Sequence, residues 1–195
     1  MSQDFPILGP PLVDVDRATA LIIKKHNHHT YTDAELTAIV KAYAYTAPFA
    51  GVSLGVILAQ AVHECTWFAS WWAAPPRRNP AGIGVTGATY GVQPLRPPSA
   101  LNPDGKWHAG VSFPTWGPDA VDAHVGRLAA YALPLGSETQ QQARLVAIAG
   151  RWRAISARVR GVATTVNGLG GTWAVGPHSG GYGPALSKVI EEMMR

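Results

Sequence analysis

Apolar positions recur with helical spacing most clearly between residues 55 and 72. There Ile57, Leu58, Ala61, Val62, Cys65, Phe68 and Ala69 fall on one stripe, with no internal proline or glycine after Gly55. The spacing predicts one long helix over this stretch. Ahead of it, Thr32-Asp33-Ala34-Glu35 has the form of a capping box before Leu36, Ile39, Val40 and Tyr43, which predicts a second helix, ended by Pro48 and Gly51. Residues 16–25 read as a short helix, and residues 5–11 as an extended, proline-bounded lead. Between residues 83 and 116 the pattern alternates weakly around Asn102-Pro103-Asp104-Gly105, a turn signal that predicts a small β-hairpin or sheet lobe. Helical spacing returns after Gly117-Pro118, with Val121, Val125, Leu128 and Ala129 on one face and Asp119 in the first turn. A further helix, capped by Ser137 and Gln140, is expected to run to about residue 159. A glycine-rich loop over 161–183 leads to a last helix over 184–194. No internal repeat is present. The fold class expected is α+β, mainly helical.

Composition narrows the picture. The chain has 195 residues, 47% hydrophobic and 14% charged, enough for one domain with a proper core. Its 21 glycines and 16 prolines favour developed loops around the helices. A formal net charge of +4 gives a mild pull toward polyanions, but the arginines are scattered and a nucleic-acid footprint is weak. The single cysteine, Cys65, excludes an internal disulfide framework, and its place on the apolar stripe reads as a buried thiol. No apolar run approaches the roughly 20 residues needed to span a bilayer. The first residues show neither the basic region nor the apolar run of a secretory signal.

One acid, Glu64, sits on the apolar 55–72 stripe. Burial there would raise its pKa, and a carboxylic acid protonated near neutral pH can donate that proton as a general acid. A structural ion pair with an arginine is the competing explanation. Several other motifs fail on inspection. His63-Glu64 lacks the second histidine one turn on that a zinc-protease helix needs, since position 67 is tryptophan. The glycines from Gly82 to Gly87 fit a dinucleotide pattern but lack the strand and βαβ frame that give it meaning. A serine nucleophile elbow is missing. His26-Asn27-His28-His29 invites a metal, yet adjacent imidazoles in a polar loop need distant partners to converge on one ion. No metal and no cofactor is expected.

Two segments taken together, Ala59-Gln60-Ala61-Val62-His63-Glu64 and Asn79-Pro80-Ala81-Gly82-Ile83-Gly84-Val85-Thr86-Gly87, resemble the glucosaminidase-type peptidoglycan hydrolases, whose catalytic region looks like lysozyme. The likeness covers roughly residues 32–192. Looser matches are Phe113-Pro114-Thr115-Trp116 and the run from Gly171 to Ala174 followed by Pro177 and Tyr182. The resemblance implies a lysozyme-like domain with a small β lobe over residues 31–195, preceded by a lead segment over 1–30. It implies an endo-β-N-acetylglucosaminidase cleaving the β-1,4 bond after N-acetylglucosamine, with Glu64 as general acid.

In that family a second acid lies in the β lobe. The only candidate between Gly87 and Trp116 is Asp104, as base or nucleophile; its Pro-Asp-Gly context equally suits an ordinary turn. If Asp104 only shapes the turn, the substrate's 2-acetamido group can act as nucleophile instead. The expected glycan-binding residues are Gln60, Trp67, Asn79, Gly82, Trp107, Trp116, Trp173 and Tyr182. Where the family's late motif carries an Asp before Pro, this chain has Gly176, which removes any polar role there. The alternatives are a lytic transglycosylase or muramidase of the same fold, or a non-catalytic glycan-binding or virion structural module. The partner expected is the bacterial cell-wall glycan, met by a monomer without nucleic acid or membrane span. Without a visible signal, delivery to the wall would rest on a phage or on release by lysis.

Overall fold

The computed structural model describes residues 3–26, 30–175 and 179–195. It is a mainly helical α+β fold, in which, among the described residues, six α-helices surround a core and a small antiparallel sheet stands to one side. The central helix, α3 (Leu54–Glu64), buries every residue from Leu54 to Val62. A helix apolar all round belongs in the interior. It packs against α2 (Asp33–Ala50) and α6 (Tyr182–Met194), while α1 (Val15–Lys25) packs on α2 and α6. The tightest helix pair is α4 (Asp122–Ala132) with α5 (Gln140–Trp152). They cross at Gly126, where a Cβ would lie 2.0 Å from the Leu145 carbonyl oxygen, so only glycine permits the approach.

The capping box at Thr32 and Glu35 forms as expected, and Gly51, in the left-handed conformation at φ 67°, ends α2. Two expectations need correction. The helix over residues 55–72 stops at Glu64, and Thr66, Trp67 and Phe68 follow in the left-handed region at φ 52°, 56° and 65°. Each such residue costs about 1–2 kcal/mol. Burial and hydrogen bonds hold the turn. Phe68 is fully buried, its N–H points to Cys65 Sγ at 3.2 Å, and the Trp67 N–H donates to the Val62 carbonyl at 2.8 Å. Tyr31 N donates to His26 Nε2, so His26 Nδ1–H donates to the Trp67 carbonyl at 2.8 Å. Local propensity favoured more helix; tertiary packing of Phe68 won. Likewise, α5 is capped by Thr139 with Gln142 rather than by Ser137, and ends at Trp152 rather than near 159, where Arg153 turns extended and its carbonyl accepts from Arg127.

The β lobe holds β1 (Thr89–Tyr90), β2 (Ser99–Leu101) and β3 (Trp107–Ala109) in the order β1-β3-β2, all antiparallel. Asn102 to Gly105 forms the β2–β3 turn. Beneath the lobe a second apolar cluster gathers Ala81, Ile83, Val111, Phe113, Ala120 and Ala123. A π-helical turn over Trp116–Val121 leads into α4. The lead segment joins the main core: Phe5, Ile7 and Ile22 are fully buried with α2 and α3, and Ile7 bonds to Thr164 and Ser53. Among the described residues no helix is long and apolar enough to cross a membrane.

Candidate active site

Where α3 ends, Glu64 emerges half-buried at the wall of a cavity of about 420 Å³ lined also by His63, Ala81, Gly82, Val85, Trp173, Ala174 and Tyr182. The helix places Gln60 one turn earlier, fully buried. Two donors converge on one carboxyl oxygen. Trp173 Nε1 donates to Glu64 Oε1 at 3.1 Å, and the Tyr182 hydroxyl donates to the same atom. Oε2 takes no hydrogen bond from the described residues and faces Gly82, where a Cβ would lie 3.9 Å away. Gly82 is held at φ 58°, which leaves that side of the carboxyl open. An oxygen that accepts two hydrogen bonds is a poor place for a proton, so the acid proton belongs on Oε2, toward the cavity. Burial raises the Glu64 pKa above its ordinary 4.5, against the opposing pull of Tyr182, the neighbouring His63 and Trp173.

Behind the carboxyl runs a directed chain of buried groups. The Gln60 side-chain amide donates to the Tyr182 oxygen at 3.1 Å and accepts from His124 Nε2 at 3.0 Å, and His124 Nδ1 accepts from the Tyr43 hydroxyl at 2.9 Å. The order fixes His124 as the neutral Nε2–H tautomer. Burial, aided by the Arg127 charge, lowers its pKa to about 3, so it stays neutral under ordinary conditions. Each link uses one donor and one acceptor, so Tyr182 is left with its hydroxyl proton aimed at Glu64. Burial and the Glu64 charge push the Tyr182 phenol far up, and it does not ionise.

Asn79 is placed without solvent contact. Its amide nitrogen donates to the Ile83 and Val111 carbonyls at 2.9 and 3.0 Å, while its oxygen accepts from the Ala81 and Ile83 N–H groups at 3.3 and 2.9 Å. All its capacity is spent shaping the 79–83 turn that carries Gly82 to Glu64.

Of the expected residues, Glu64, Gly82, Trp173 and Tyr182 line one cavity, with Gln60 and Asn79 directly behind it. Four others lie apart. Asp104 stands exposed in the β2–β3 turn, accepting from the Lys106 N–H at 2.8 Å and pairing with His108 Nε2 at 2.9 Å. Its pKa is lowered, first by the Lys106 N–H and then by His108. Trp67 lies under Lys25, whose Nζ is 5.7 Å from the ring centre. Trp116 is a packing residue: its Nε1 donates to the Tyr31 hydroxyl at 3.0 Å and its ring meets Phe68 edge-on. Trp107 is half-buried on β3, paired with Tyr90 and Leu101. Sequence reasoning missed His124, although position 124 falls between Val121 and Val125 on an apolar helix, where a polar side chain signals a buried partner. His28, His29 and Pro177 lie outside the described residues. Among the described residues no three His, Cys, Asp or Glu side chains gather as a metal site. Comparison of the chain with models of protein families and with curated proteins finds no match.

Proposed function

We propose that this chain is a lysozyme-like peptidoglycan hydrolase that cleaves the β-1,4 bond after N-acetylglucosamine, with Glu64 as general acid. The observation that carries the reading is the asymmetry of the Glu64 carboxyl: Oε1 is held by Trp173 and Tyr182, and Oε2 is open to the cavity beside Gly82. A glycosidic oxygen seated against Oε2 would receive the proton as its bond to the anomeric carbon breaks. Trp173 offers an indole face to a sugar ring, and its N–H steadies the carboxylate left behind. The resemblance of the Gln60–Glu64 and Asn79–Gly87 segments to wall hydrolases supports the substrate class.

Glu64 is the one carboxylate lining this cavity among the described residues. That favours the substrate's own 2-acetamido oxygen as the nucleophile, closing an oxazoline ring on the anomeric carbon. Glu64, now ionised, then takes a proton from the water that opens the ring. The same single carboxylate also suits a lytic transglycosylase, in which a sugar hydroxyl attacks and an anhydro product forms, one water lighter. Incubating purified cell walls with wild type and Glu64→Gln tests the proposal. Release of reducing N-acetylglucosamine ends by wild type alone is expected; anhydro ends would select the transglycosylase, and equal release by both proteins would overturn Glu64 as the acid.

A further inference from the structure

A second cavity of about 380 Å³ adjoins the first and shares Ala81, Gly82, Val85 and Trp173 with it. Its far wall carries two arginines, Arg127 from α4 and Arg153 just after α5, with Tyr131 and Ser156 beside them. Arg127 is buried, at 8% exposure, and its Nε has no hydrogen-bond partner. One of its terminal nitrogens donates to the Arg153 carbonyl, which draws the two residues together. No carboxylate among the described residues lies within ion-pair distance of either guanidinium, whereas Arg160 in the same region is paired with Glu138. Burial lowers the Arg127 pKa, and the like charge of Arg153 adds to this against the opposing influence of Tyr131. Arg153 Nη1 also stands 3.7 Å from the place a Cβ would take on Gly84, at the rim of the glycine turn that leads to Glu64.

We propose that this second chamber is an anion subsite, in which Arg127 and Arg153 bind a carboxylate carried by the saccharide next to the one cleaved at Glu64. A buried guanidinium with unused donors, beside a second one and in an open chamber, is matched by a planar carboxylate taking paired hydrogen bonds. In wall glycan such a carboxylate is available from the lactyl ether of the muramyl sugar or from the peptide attached there; chitin-like glycan has none. The identity of the ligand rests on the glycan reading above, while the presence of an anion subsite does not. The chamber thereby separates acidic wall glycan from neutral N-acetylglucosamine polymers.

Calorimetry on the full chain carrying Glu64→Gln, which prevents turnover, tests this. The probes are N-acetylglucosaminyl-N-acetylmuramic acid with its free lactyl carboxylate, the methyl ester of that disaccharide, and the disaccharide bearing a short acidic peptide. We expect at least one carboxylate form to bind about tenfold more tightly than the ester, since hydrogen bonds to charged groups exceed neutral ones by roughly that factor. Which form gains identifies the lactyl or the peptide source. The ratio should shrink at high ionic strength and fall to near one when Arg153→Gln, at an exposed position that the fold does not require, is added. Arg127→Gln should do the same if it folds. Equal binding of acid and ester, no binding of any probe, or an unchanged ratio in Arg153→Gln would overturn the subsite. Wall hydrolysis by wild type is scored separately: hydrolysis without charge discrimination sinks this inference alone, and discrimination without hydrolysis sinks the hydrolase reading alone.

Discussion

Glu64 and Asp104 are the two carboxylates a two-acid glycosidase would need, and their surroundings are opposite. Glu64 ends a helix apolar all round, half-buried, one oxygen fixed by an indole and a phenol. Asp104 sits at the tip of a hairpin turn, exposed, held by a backbone N–H and a histidine. Burial raises the first pKa, and hydrogen bonding and charge lower the second. The same functional group is therefore set up to hold a proton in one place and to anchor a turn in the other. The difference lies in solvation and partners, which chain position alone does not reveal.

The sharpest way to break this comparison is Glu64→Gln. The amide keeps the shape and can still accept from Tyr182 and Trp173, but has no acid proton. Turnover on walls should fall about 100-fold or more, with the melting temperature nearly unchanged. A variant that keeps a tenth of wild-type turnover contradicts the role of Glu64.

Asn79→Ala attacks the support of the site. Four hydrogen bonds vanish and four buried backbone groups, on three residues, lose their side-chain partner. Stability should drop by at least about 2 kcal/mol in urea unfolding, and activity with it as Gly82 moves. Unchanged stability would mean the turn holds without its side chain.

Tyr182→Phe is subtler. It removes a donor that favours the ionised carboxyl, so the Glu64 pKa should rise further and the alkaline limb of kcat/KM should move to higher pH. It also leaves the Gln60 amide short of an acceptor in the core, a cost of about 1–3 kcal/mol measurable by thermal unfolding. A limb moving to lower pH would refute the assigned hydrogen bond. Asp104→Asn should have the smallest effect, with kcat/KM kept within about twofold, as for an exposed substitution. A loss rivalling that of Glu64→Gln would restore a two-carboxylate mechanism.

Local motifs were the legible part. The Thr32 capping box, the Gln60–Glu64 spacing and the Asn79 to Gly82 turn each depend on neighbours within a few residues, so their patterns could be read directly. Three groups that fix the Glu64 proton come from afar: Trp173 and Tyr182 lie 109 and 118 residues away, and His124 is 64 residues from Gln60. No local pattern encodes those pairings; resemblance alone pointed to Trp173 and Tyr182. The end of α3 was misjudged for the same reason. Residues 65–72 have helical spacing, but Phe68 gains more from the core than from another helical turn. Phe5 and Ile7, expected in a lead segment, are drawn into the main core by backbone bonds, Phe5 to Val166 and Ile7 to Thr164 and Ser53. Bracketing prolines hid that burial from the pattern.

The proton on the Glu64 carboxyl that the proposed catalysis uses also bears on folding. In the folded chain this group holds it more tightly than in the unfolded one. Its contribution to stability is thus fully present below the ordinary value of 4.5 and is lost as pH rises through the raised folded value. Glu64→Gln should flatten that part of the melting-temperature profile. The most direct test of the central claim is kcat/KM of the wild type on a soluble wall glycan across pH at fixed ionic strength. Activity should persist above pH 4.5 and decline only through a distinctly higher apparent pKa, the pKa of Glu64 in the free enzyme. A profile already falling between about pH 4 and 5, where an unperturbed glutamic acid titrates, would contradict Glu64 as a buried, protonated acid.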